Sequence, residues 1–477
     1  MKEDKALISI NKKSFFNVLI ILGSLMVIAY ILTYLIPQGV YERTAEGEII
    51  SGSFQYLSLE KLSIFDLFLA PFKLFGSTDA LNVIVISLFL FILGGFFTVM
   101  DQTKGIVVII KKLVNRYLDN KYLLIRMIVL FFMMFGAFFG IFEESIALLP
   151  IMIILALSMG YDTLMALGLT VLAAGFGFAS AITNPFSVGI ASEIAGINIL
   201  SGVGYRLLVF VIMYLILSTF LVRYARVLEK NPKKSLTYED DLTKRQNLSN
   251  DLVKKVENED LVFKTYILIF ALLLLFIVLA SIAQLVFSLE IPSIILMSVV
   301  FMVGGITAGL IINKDMVKTL KTFLKGVLGV MPASILIIMA ASVKYLMTSG
   351  NIMDTILHFF ENMLTDRPAI VGVIGIYIII LVIQFFIGSA SAKAILIMPI
   401  LVSLVSLVGI STNIAILAFI FGDGYTNVIF PTNGVLLIAL SIASVSYQKW
   451  FKWTIKLQLS VFLITIVMLV IAYYIGY

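Results

Sequence analysis

Apolar runs long enough to cross a bilayer follow one another along almost the whole chain, and no other feature limits the fold as much. They lie at roughly 15–36, 80–100, 162–197, 203–226, 264–287, 291–313, 326–348, 410–445 and 454–476, with two further apolar pairs at 122–158 and 369–408. A helix needs about 20 such residues to cross a hydrocarbon core of roughly 30 Å. Hydrophobic residues make up 61% of the chain and charged residues 13%, far from the usage of soluble domains. We therefore expect an all-α polytopic membrane protein; a β-barrel would show short alternating segments instead. The first run is too long for a cleaved leader and has no small-residue cleavage site, so it reads as the first span. The absence of Cys excludes disulfides and thiolate metal sites.

Lys and Arg in short loops set the orientation. Basic residues cluster before the first span (Lys2, Lys5, Lys12, Lys13), after the second (Lys104, Lys111, Lys112, Arg116, Lys121), and in a polar insert from Glu229 to Leu261. They cluster again at Lys314, Lys318, Lys321 and Lys325, and at Lys449, Lys452 and Lys456. The turn Ser288-Leu289-Glu290 and the loop from Gln38 to Asp79 are poor in them. All clusters fall on one side if the N-terminus is cytoplasmic, and nine full spans then leave the C-terminus outside. The expected location is the cell (inner) membrane. The net charge of +6 sits in these loops and so reports topology, not nucleic-acid binding.

The two halves resemble each other. Each has a span, an amphipathic stretch ("KGIVVIIKKLVNRYLDNK" and "GNIMDTILHFFENMLTDR"), an apolar hairpin-like pair, and a span interrupted by Gly, Pro and Thr-Asn ("GFGFASAITNPFSVG" and "GDGYTNVIFPTNG"). Glu144 to Pro150 has the same spacing as Lys393 to Pro399. One amphipathic stretch is basic and the other acidic on balance, so the charge rule puts them on opposite faces. That is the pattern of an inverted repeat. We read 1–228 as the first repeat, 229–262 as a cytoplasmic linker, 263–290 as a connecting span and 291–477 as the second repeat. The hairpins 122–158 and 369–408 are expected to be re-entrant.

Asp423 is the only charge in the run from Ile410 to Val445. A mid-bilayer Asp costs roughly 2.5–3.5 kcal/mol on an insertion scale. Broken backbone at that depth is tolerated where it lines a cavity or is buried in protein, and secondary transporters build midplane sites from such breaks. Candidate substrate- or ion-binding residues are Glu143, Glu144 and Ser145 at one hairpin tip and Ser389, Ser391 and Lys393 at the other. Thr183 and Asn184 mark the first break; Asp423, Thr426, Asn427, Thr432 and Asn433 mark the second. Glu144 and Lys393, matched in the repeat, can also pair with each other. Glu193 and Arg206 are placed near the outer interface, and His358, the only His, on the surface.

The motifs "EESIALLPIMI", "ITNPFSVGIASEIAGI", "SASAKAILIMPIL", "FGDGYTNVIFPTNGVL" and "SYQKWFKW", in this order, resemble the YfcC family, the basic amino acid antiporters grouped with the anaerobic C4-dicarboxylate carriers. The similarity covers nearly the whole chain and extends to the wider ion-transporter superfamily. It implies a scaffold domain, a transport domain with two re-entrant hairpins tipped by "GIFEES" and "GSASAK", elevator movement and a homodimer.

The leading reading is a secondary active transporter. Glu143, Glu144 and Asp423 against one Lys favour a basic amino acid exchanger of the arginine/ornithine type, with Lys393 supplying a fixed charge and no need of sodium. The alternative is a proton- or sodium-coupled carrier of dicarboxylates or other small carboxylates. An intramembrane aspartyl protease is a third class, but position 420 is Ile where that motif needs Gly. No phosphate-binding Gly-x-x-x-x-Gly-Lys-Ser/Thr motif appears. The expected partners are a small-molecule substrate, the lipid bilayer and a second copy of the chain; no nucleic acid, cofactor or resident metal is expected.

Overall fold

A computed structural model describes residues 12–43, 50, 52–77, 80–117, 120–253, 256, 258–287, 293–364, 368–408 and 410–477. The turn 288–290, the basic residues Lys2, Lys5, Lys254 and Lys255, and the side chain of Glu144 lie outside the described residues.

The first half opens with α1 (Lys12–Leu35), a two-residue pair β1 (Gly39–Val40) and β2 (Gln55–Tyr56), and the short α2 (Ile64–Lys73). Then come α3 (Ala80–Gln102) and the amphipathic α4 (Gly105–Tyr117). The first apolar pair is α5 (Lys121–Met134), extended by a π-turn at Phe135–Phe139, and α6 (Leu149–Ser158), preceded by a 3-10 turn at Glu143–Leu148. The first broken span is α7 (Thr163–Leu167), a π-turn at Gly168–Leu172 and α8 (Ala173–Ala179), then a gap, a π-turn at Pro185–Gly189 and α9 (Ile190–Ile194). Helix α10 (Val203–Lys230) closes this half.

Two helices join the halves, α11 (Tyr238–Val253) and α12 (Glu259–Phe287). The second half runs α13 (Ser293–Asn313), α14 (Met316–Ser349), the amphipathic α15 (Met353–Leu364), the pair α16 (Ala369–Gln384) and α17 (Ala390–Val408), the broken span α18 (Thr412–Thr426) and α19 (Gly434–Ala443), and α20 (Tyr447–Tyr474).

Among the described residues six helices are long and apolar enough to cross a membrane: Val83–Gln102, Lys121–Phe139, Val203–Lys230, Ile295–Asn313, Met316–Ser349 and Tyr447–Tyr474. The first limb of the 122–158 pair is thus long enough to cross by itself, whereas Ala369–Gln384 in the second pair is shorter.

The helices sort into two packed groups. In one, α14 lies against α3 and α1, α3 against α13, and α13 against α12. A Cβ on Gly326 of α14 would meet the Gly94 carbonyl of α3 at 2.2 Å, so this crossing depends on glycine. The other group holds both apolar pairs and both broken spans: α18 packs on α16, α8 and α17, and α5 on α8. The packing is crossed: α17 lies against α9, and α6 against α19.

Three polar features are held by contacts between distant parts of the chain. The linker 229–262 is not a bare tether. Asp241 of α11 is fully buried and accepts from the Thr163 amide (2.8 Å), the Thr163 and Thr237 hydroxyls and Lys244 (3.0 Å), while Lys244 also donates to the Ala443 carbonyl (2.9 Å). So α11 bridges the start of the first broken span and the end of the second. Arg206 is buried and donates to the carbonyls of Ile182 (3.1 Å), Ser201 (2.7 Å) and Ile199. His358 is half-buried, not a free surface residue: it stacks on Phe54 at 3.9 Å, because the loop after α1 folds back onto α15 through Arg43 and Asp354 (2.8 Å).

Candidate functional site

The two breaks follow the same local chemistry. A Pro and a short amide stop one helix and start the next. Asn184 accepts from the Phe186 amide at 2.9 Å and starts the turn at Pro185. Asn433 accepts from the Leu436 amide at 3.0 Å and caps α19.

Each break is held by its apolar pair. The amides of Ile182, Thr183 and Asn184 donate to the Ala137 carbonyl at 2.8, 3.2 and 3.1 Å. The Thr183 hydroxyl donates to the Phe138 carbonyl at 3.2 Å and Asn184 Nδ2 to the Gly136 carbonyl at 3.4 Å. In the second half Gln384, the last residue of α16, donates from Nε2 to Asn427 Oδ1 at 2.6 Å. Lys393 of α17 donates from Nζ to Asp423 Oδ1. The breaks meet where α18 crosses α8: a Cβ on Gly424 would lie 2.1 Å from the Ala179 Cα. Only glycine allows that approach, and it draws Asp423 and Asn427 toward Ala179 and the first break.

Lys393 and Asp423 are each completely buried. An ion pair inside protein balances desolvation against attraction, and losing one partner leaves a charge that nothing answers. Asp423 Oδ2 has no hydrogen-bond partner among the described residues, and neither does Gln384 Oε1.

The orientation of the Gln384 amide follows from a relay. The Leu436 N–H needs an acceptor, which makes the bonded Asn433 atom its Oδ1. Asn433 Nδ2 then donates to Asn427 at 2.8 Å, so that Asn427 atom is an oxygen. Gln384 must therefore offer its Nε2 to the same oxygen, which leaves Gln384 Oε1 as a buried acceptor.

The other candidates are placed as follows. Asn427 and Asn433 join the relay, and the Thr426 hydroxyl returns to the Gly422 carbonyl in its own helix at 2.8 Å. Thr432 is half-buried in the second break. Glu143 is half-buried at the start of its 3-10 turn, and the Ser145 hydroxyl donates locally to the Phe142 carbonyl at 2.6 Å. Ser389 is exposed and Ser391 half-buried at the other tip. Lys393 takes Asp423 as its partner. Gln384 and Arg206 were not among the expected site residues. Gln384 carries a signal of its own: it is the one amide in the apolar run "AIVGVIGIYIIILVIQ", and a buried amide is costly unless bonded. Asp162 bonds Ser235 at 2.6 Å and the Tyr224 hydroxyl, while Asp423 bonds Lys393, so the two aspartates of the protease reading share no partner. Among the described residues no group of three or more His, Cys, Asp or Glu is placed to hold a metal ion.

The sequence profile of the C4-dicarboxylate anaerobic carriers matches residues 15–474. YfcC of Escherichia coli (strain K12), provisionally named a basic amino acid antiporter, is 30% identical over 405 residues, which is 82% of this chain and 78% of that one. An uncharacterized protein of Haemophilus influenzae is 27% identical over 403 residues, 83% of this chain and 76% of its own length. The solved Alcanivorax borkumensis YdaH transporter covers 97% of this chain with 99% of its own length, at 13% identity and a TM-score of 0.45, too loose a likeness to assign anything. The chain belongs to the C4-dicarboxylate anaerobic carrier family: it is a multi-pass inner-membrane protein and a secondary-active carrier of small molecules, not an enzyme.

Proposed function

We propose that this carrier moves small carboxylates, C4-dicarboxylates first among them, coupled to protons or sodium, through a site between the two breaks. The observation that carries this reading is the Lys393–Asp423 pair. It cancels the one cation of the site against the acid that would otherwise favour a cationic substrate. The helix ends then set the sign. The N-termini of α19 and α17 and of the helical run 185–194 lie at the breaks and the second tip. Helix N-termini carry partial positive charge and unbonded amides, and they suit carboxylates. The family description agrees.

A second reading, exchange of basic amino acids, has its own support. Asp423 Oδ2 and Gln384 Oε1 are buried acceptors without donors among the described residues, which a guanidinium or ammonium would satisfy. The substrate's α-carboxylate would use the same helix ends. The name of the Escherichia coli relative points this way.

Counterflow in proteoliposomes separates the two. Labelled succinate and labelled arginine are offered against unlabelled dicarboxylates and basic amino acids, with and without sodium and a pH gradient. Uptake of succinate that follows one of the ions supports the first reading; ion-independent exchange of arginine for ornithine, with no succinate uptake, replaces it with the second.

For the movement we propose an elevator. The group α1, α3, α12, α13 and α14 serves as a static scaffold, through which two copies associate, and the group of pairs and broken spans slides against it. Inverted repeats, with the N-terminus inside and the C-terminus outside, fit the matching order of elements and the opposite charge of α4 and α15. The groups meet where α14 and α1 touch α19 and where α12 touches the turn at Pro185–Gly189. A cross-link between α14 and α19 that leaves transport intact would sink this idea.

A further inference from the structure

We propose that the basic end of α14 binds one anionic phospholipid through Lys318, Lys321 and Lys325. These side chains, with Asp315, Val317 and Thr322, line an open groove of about 430 Å³. That is within the range of small-molecule sites, roughly 300–1,000 Å³. Spacings of three, four and seven put the lysines on one helix face, and all three are exposed. Asp315 is committed to capping the helix, accepting from the Lys318 amide at 3.0 Å.

Other lysines at helix ends find carboxylates within the chain. Lys111 pairs with Glu259, Lys112 with Asp260, Lys244 with Asp241 and Lys449 with Asp240. Among the described residues the three lysines of α14 pair with none. Apart from Asp315 in the same groove, no carboxylate among the described residues offsets their charge, and an external anion would complete it.

Helix length says where that anion sits. Helix α14 has 34 residues, about 50 Å at 1.5 Å per residue, and the hydrocarbon core needs roughly 30 Å. The basic first turns are the part left over, at the level of lipid headgroups. From Leu324, between the last two lysines, the exposed face turns apolar, with Leu324 58%, Leu328 64%, Met331 47% and Ile335 46% exposed. From Lys325 to Ile335 the helix rises about 15 Å, half the hydrocarbon core. One face therefore offers charge for a phosphodiester and an apolar strip for its acyl chains. A soluble phosphate would leave the strip unused. A second copy of the chain across a two-fold axis would set lysines against lysines.

The test uses the full-length protein in neutral detergent, titrated with phosphatidylglycerol or phosphatidylcholine and read by native mass spectrometry. Wild type should hold one phosphatidylglycerol in preference to phosphatidylcholine. Each lysine removed should weaken this by roughly fivefold, so K321Q alone gives a readable step if the triple variant K318Q/K321Q/K325Q fails to insert. K318R/K321R/K325R should retain the lipid. Equal binding of both lipids, unchanged binding in K321Q, full displacement by inorganic phosphate, or a loss of dimer without loss of lipid would each overturn the proposal.

Discussion

Lys393 and Asp423 answer each other's charge in a place where water does not reach, and their substitutions separate structure from transport. Asp423→Asn or Lys393→Gln alone leaves a buried charge without a partner, a cost of about 3–5 kcal/mol. Each should lower the melting temperature of the purified protein and abolish transport. The double variant K393M/D423L should regain most of the stability and none of the transport; transport by it would reduce the pair to packing. Gln384 is a sharper probe of binding. Gln384→Leu removes the hydrogen bond from Nε2 to Asn427 and one free acceptor, about 1–1.5 kcal/mol. If the substrate is a basic amino acid its affinity should fall roughly tenfold, whereas the affinity for a dicarboxylate should change little, and the melting temperature should drop far less than in the single variants of the ion pair. Unchanged affinity for a transported basic amino acid would place that substrate away from Gln384.

At the scale of elements, the crossing of α18 over α8 fixes the distance between the two breaks. Gly424→Ala would place a methyl group against backbone that cannot rotate away. We expect a loss of about 1–3 kcal/mol and lower yields of folded protein. Gly204→Ala is the matched control, since a Cβ there meets nothing within 4 Å. It should be neutral or stabilise by about 0.5–1 kcal/mol. Equal behaviour of the two variants would show that the crossing is looser than described. The breaks themselves are readable in the chain, because Gly, Pro and Asn interrupt runs that would otherwise continue as helices. The docking of α11 is not readable: its sequence is polar without an apolar stripe, and its hold on the molecule comes from Asp241, which accepts from Thr163, and Lys244, which donates to the Ala443 carbonyl, both far away in sequence.

For the whole molecule, the proposed inverted repeat predicts that α4 and α15 face opposite sides of the membrane. Cysteines placed at Lys112 and at Phe359, which is 63% exposed, should react with an impermeant thiol reagent from opposite sides of the cell. The chain has no Cys of its own, so each label is unambiguous. Reaction of both from outside would defeat the inversion. A disulfide between α3 and α14, within the proposed scaffold, should leave transport intact, whereas one between α14 and α19 should stop it.

The sequence alone determined that this chain lives in a bilayer, where its apolar pairs lie, and where its long runs break. These are local properties: the length of an apolar run, and the residues that cannot continue a helix. It also carried the family motifs in order. Which polar groups meet was decided only in three dimensions. The register of the repeat matched Lys393 to Glu144, but register names equivalent positions, not contacts. Asp423 became the partner of Lys393 because α17 packs against α18, and two charges buried on touching helices have no other way to lower their cost. His358 stacks on Phe54 for a similar reason: a distant loop returned to cover it.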